Sequence, residues 1–144
     1  KDFERVVGVR VKRDKAENPT EKAKYTKESL DLLETATNYT FEVGEISIRL
    51  MGFGVVMFEK GWHAIRGDSG VSLSAAMSGV MSAIFIANLN LKTLRKRKYA
   101  KENVARCQGL QDSLNRLQTQ AFSCVTTISS ESVNSIQLEL EEDT

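Results

Sequence analysis

One proline, two cysteines, one histidine and one tryptophan in 144 residues rule out several kinds of protein before any pattern is sought. A β-sandwich or barrel needs frequent turn residues, and a chain whose only proline is Pro19 favours long helices instead. Cys107 and Cys124 are too few for a disulfide scaffold and lack zinc-site spacing. His63 is the one histidine, so a Ser-His-Asp triad could form only around it, and neither G-x-S-x-G nor a phosphate-binding glycine loop lies near it. The carboxylates do not gather into a four-ligand metal set. The sequence therefore predicts a non-enzymatic chain with no cofactor and no metal. Net charge is also missing, at +1. The chain opens on Lys1, not methionine, which reads as a processed or trimmed start.

What is present is ordinary in amount and unusual in arrangement. Apolar residues make up 41% and charged residues 27%, enough for one unit with a real core. The neutral sum hides opposed blocks. Lys92, Arg95, Lys96, Arg97, Lys98 and Lys101 place six positive charges in ten positions, while Glu139 to Asp143 places four negative ones in five.

Along the chain, residues 1–17 read as a short strand and linker, because Val7, Val9 and Val11 alternate with Gly8, Arg10 and Lys12. Residues 129–144, Ser-rich and then acidic, mirror it with Ile136, Leu138 and Leu140 alternating with Gln137, Glu139 and Glu141. Opposite charges facing across a ladder would favour pairing of the two ends. Asn18-Pro19-Thr20-Glu21 is a helix start, with Asn18 as cap and Pro19 in the first turn. It opens a surface helix over 18–38. Residues 44–62 are apolar nearly all round and read as a buried helix or, up to Leu50, a strand; Glu45 and Arg49 stand one turn apart and can pair. Gly61, Gly67 and Gly70 break that element, and Asp68 or Ser69 can cap the next.

Residues 70–91 contain nineteen positions, Val71 to Leu89, without a charge, at about the hydropathy of a membrane span. Small residues recur in two neighbouring rows, Ser74, Ser78 and Ser82 beside Ala75, Gly79 and Ala83, which lets two backbones approach closely. The basic block that follows suits the end of a span, where Lys92, Arg95, Lys96, Arg97, Lys98 and Lys101 would meet anionic head groups. With only Tyr99 available for base stacking, nucleic acid is not an expected partner. Within 92–128, Cys107, Leu110, Leu114, Leu117, Ala121, Cys124 and Ile128 step by three and four, the seam of a helix that packs on another helix. Ser and Thr at 126–131 should end it.

The predicted fold is mainly α: a helical hairpin or bundle with one membrane-embedded helix, a long C-terminal amphipathic helix and short β segments at the two termini. The function it suggests is a structural or accessory subunit of a membrane-associated assembly, with an organellar membrane among its locations, docking protein subunits of its own or another kind through the apolar helix and the heptad seam. Two alternatives stand beside it. One is a soluble, cytoplasmic α-helical protein-binding domain, and the other a membrane-inserting pore-forming or remodelling protein.

Overall fold

The computed structural model describes residues 2–142, which form four helices: α1 (Asp2–Lys15), α2 (Pro19–Lys60), α3 (Arg66–Thr93) and α4 (Lys98–Glu142). A single 3-10 turn at His63–Ile65 joins α2 to α3. Among the described residues there is no strand, so the predicted mainly α class holds and the terminal β segments do not. The N-terminal alternation misleads because a second spacing wins. Val6 and Val9, three apart, are both buried, while Val7 and Val11 stay half-exposed. One helical face against α2 buries more than one strand face with no neighbour, and tertiary packing overrides β propensity. The C-terminal alternation then has no strand to pair with. Ile136 and Leu138 ride exposed on the last turns of α4, and Asp143 and Thr144 lie outside the described residues.

α2 is the axis of the molecule. It packs against α1, α3 and α4, and its largest interface is with α3. Its start is the predicted one: Thr20 N donates to Asn18 Oδ1 at 2.8 Å, and Pro19 occupies the first turn. It runs unbroken for 42 residues, joining the segments 18–38 and 44–62 that the sequence divides. Gly44 does not interrupt it because that glycine serves packing. A Cβ there would sit 2.9 Å from Leu110 Cδ1 and 3.0 Å from Ala83 Cβ. A Cβ on Gly79 would meet Ser47 Oγ at 2.7 Å, so α2 and α3 cross at small residues, with α4 close behind. Phe41, Met51, Val80, Ala87 and Leu94 fill the core between them.

α3 begins at Arg66, before the predicted caps; Ser69 Oγ donates to Ile65 O and caps nothing. α4 continues through the Ser/Thr stretch because its hydroxyls bond back within the helix. Thr126 and Thr127 donate to the carbonyls of Phe122 and Ser123, each at 3.0 Å, and so stop competing for other conformations. Beyond Glu131 its described side chains are exposed.

Candidate docking surface

The C-terminal seam folds inward. Cys107, Leu110, Leu114, Ala121 and Cys124 are buried, Leu117 is partly buried against the core, and Ile128 is 38% exposed. The residues α4 meets there belong to the same chain: Gly44 beside Leu110, and Phe58, Leu73 and Met77 around Ala121, Cys124 and Ile128. The two thiols are free, and burial pushes both above the ordinary thiol range. The small-residue rows divide. Gly79 and Ala83 line the crossing with α2, whereas Ser74, Ala75, Ser78 and Ser82 face outward.

The basic block also separates into roles. α3 ends at Thr93, and α4 begins at Lys98, so Lys96 and its neighbours form the turn between them. Arg97 ties that turn to α2, with Nη2 2.5 Å from Asp31 and Nε 3.0 Å from Glu34. Lys98 pairs one turn on with Glu102 at 3.1 Å. Lys92, Arg95 and Lys101 rim a shallow groove with Asn88, Gln108 and Gln111. His63 lies exposed, and among the described residues no three His, Cys, Asp or Glu side chains converge on a point.

Glu45 of α2 and Arg106 of α4 make a polar contact between helices. Arg106 Nε and Nη2 donate to the two carboxylate oxygens at 2.6 and 3.0 Å, a bidentate pair. The guanidinium also stacks over the Phe41 ring at 4.7 Å. That hydrogen bond holds the Glu45 carboxyl below its ordinary value, against the opposing push of burial. Glu45 thus bonds to a partner 61 positions away, while Arg49, the partner that the spacing suggests, acts on it through its charge alone. Arg66, at the start of α3, ties two other helices together: it binds Glu131 of α4 at 2.9 Å and Phe58 O of α2 at 3.2 Å. Asn38, in the glycosylation pattern Asn38-Tyr39-Thr40, accepts a hydrogen bond from Tyr99 at 2.8 Å in mid-helix.

The surface that sequence reasoning missed is on α2. Tyr39, Val43, Ile46, Leu50, Phe53 and Met57 step by four, three, four, three and four, and all are between 46% and 67% exposed. This is a second heptad seam, turned away from the one that holds Phe41, Met51, Val55 and Phe58 in the core. Below Leu50, Phe53 and Met57 a wide groove opens toward α3, floored by Gly54 and Ala76 and walled by Ser72 and Ala75. The signal lies in the all-round apolarity of 44–62, where Ile46, Leu50, Phe53 and Met57 share one stripe; a surface helix that ends at Asn38 leaves Tyr39 and Val43 out of it.

The family model described as Formiminotransferase-cyclodeaminase matches residues 1–109, which cover α1, α2, α3 and the first turns of α4. No curated protein matches the chain.

Proposed function

The chain belongs to the formiminotransferase-cyclodeaminase family, and from that premise we propose that it is a helical protein-binding domain, working in an aqueous compartment such as the cytoplasm and carrying no reaction by itself. The observation that carries this reading is the exposed heptad seam of α2, an apolar face whose steps fit another helix.

Membrane residence is the competing reading, and α3 is its source. Among the described residues it is the one helix long and apolar enough to cross a bilayer, with a third of its most apolar window buried in the protein. Its neighbours argue for the aqueous reading. Gly79 and Ala83, near the middle of α3, lie against Ser47 and Gly44 of α2. Glu45 and its partner Arg106 therefore sit at the level where the bilayer centre would fall, with Arg49 one turn along α2. An ionisable group at that depth costs about 2.5–3.5 kcal/mol on insertion scales, and three would enter together.

The reading is tested by flotation of the purified chain with vesicles rich in anionic lipid, prepared without detergent. The expected result is a monodisperse protein that stays at the bottom of the gradient. Co-flotation at moderate salt would overturn it. Release of ammonia from a formimino-substituted substrate by the same preparation would overturn its non-catalytic part.

A further inference from the structure

We infer that the groove between the start of α3 and the C-terminal half of α4 binds a straight-chain carboxylic acid of about eight to twelve carbons, its head group on Arg66 and its tail along the two helices. The groove shares no residue with the outer seam of α2, so the inference stands apart from the docking reading.

Polarity is confined to one end of this groove. Leu73 and Met77 of α3 face Ala121, Phe122, Val125 and Ile128 of α4 across about 410 Å³, a volume within the range of small-molecule sites. Arg66 carries the one charge among the described residues that line it. Its side chain is 14% exposed and lies over the Phe58 ring at 5.1 Å. Nε donates to Phe58 O at 3.2 Å, and Nη1 donates to the two Glu131 oxygens at 2.9 and 3.0 Å. These bonds use Nε and Nη1, so Nη2 keeps two hydrogens for an incoming carboxylate.

The acidic neighbours leave that place open. Glu131 is 51% exposed and stands outside the lining, a counter-ion held by a surface pair that a ligand's carboxylate can replace. Glu59 acts on the Cys124 thiol through its charge and also stands outside the lining. At the Arg66 end, Gly67 and Gly70 have no heavy atom within 4 Å of where a Cβ would stand, so α3 raises no side-chain wall there. The apolar walls run from Arg66 to Met77 on α3 and from Ile128 to Ala121 on α4, roughly 10–16 Å by helix rise. Val71, Phe122 and Val125 stand exposed beside them, and an aliphatic tail laid in the groove would cover that surface. One cation at the end of a long apolar slot matches a ligand that is anionic at one end only.

The experiment is isothermal titration calorimetry with decanoate, octanoate and decanol, each below its micelle-forming concentration. It is run on the native chain and on Glu131→Gln, Arg66→Met and Gly70→Leu, with helicity checked by circular dichroism. The native chain should bind one decanoate. Octanoate, two methylenes shorter, should bind about fifteenfold more weakly, and decanol, which lacks the charge, about tenfold more weakly. Glu131→Gln removes the competing carboxylate from an exposed position and should tighten decanoate severalfold, whereas Arg66→Met should bind decanoate and decanol alike. Gly70→Leu puts a side chain into the open end and should abolish binding with helicity unchanged. No binding of decanoate to the native chain at about 1 mM overturns the inference. So does decanol binding as tightly as decanoate, which would mark simple adsorption to apolar surface. Native affinity in Gly70→Leu also overturns it, and this variant and Glu131→Gln decide the matter even where Arg66→Met fails to fold.

Discussion

Gly44 and Gly52 lie eight residues apart on α2, and the same substitution should move them in opposite directions. At Gly44 a methyl group meets Ala83 Cβ at 3.0 Å and Leu110 Cδ1 at 2.9 Å, so Gly44→Ala forces α2 and α3 apart. We expect a loss of about 1–3 kcal/mol, read as a lower thermal midpoint. At Gly52 nothing lies within 4 Å, and Gly52→Ala should stabilise the helix by about 0.5–1 kcal/mol. Glu45 gives a pH signature. Its carboxyl titrates below the ordinary value of 4.5, first because Arg106 bonds to it, so the unfolded chain takes up the proton at higher pH than the folded one. The contribution to stability is therefore complete above that ordinary value and is lost as pH falls through the folded value. Thermal midpoints measured from pH 7 to pH 3 should fall below about pH 4.5, and Arg106→Met should remove that part of the fall. The pair is part-exposed, so the effect is modest.

At the scale of elements, α2 carries two seams on nearly opposite faces, and the difference between them explains what the sequence could reveal. The start of α2 was legible because Asn18, Pro19 and Glu21 act locally. The inward seam of α4 was legible because all seven positions are apolar. The partner of that seam was not, since contacts such as Leu110 with Gly44 depend on how the chain returns on itself. α1 was misread as a strand because Val6 and Val9 find their neighbour only once α2 exists. The sequence ends α4 near residue 128, in the Ser/Thr run, yet the hydroxyls of Thr126 and Thr127 are satisfied by carbonyls one turn back. Its C-terminal part supplies a prediction. Side chains from Ser132 through Glu139 are exposed, so removing residues 132–144 should leave the thermal midpoint within about 2 °C of the native value. Truncation before Ala121 also removes Cys124 from the core cluster and uncovers Phe58 and Leu73, which should cost several kcal/mol, about what deleting buried apolar side chains costs elsewhere.

The whole molecule is a layered helical unit of the formiminotransferase-cyclodeaminase family in which α4 seals one side of α2 and α3, while the other side of α2 is left apolar and open. The nineteen uncharged residues of α3 suggested lipid, yet one face of that helix is covered by α2 and α4, and ionic groups stand at its midpoint. The basic block reads as a turn tied down by Arg97, with the rest facing solvent. The account stands or falls on whether α2's outer seam meets protein. Flotation with anionic vesicles, run on the native chain and on Phe53→Asp, tests this most directly. Both should stay at the bottom of the gradient with their helicity intact. A native chain that floats while Phe53→Asp stays behind would contradict the claim, because the seam would then be meeting lipid.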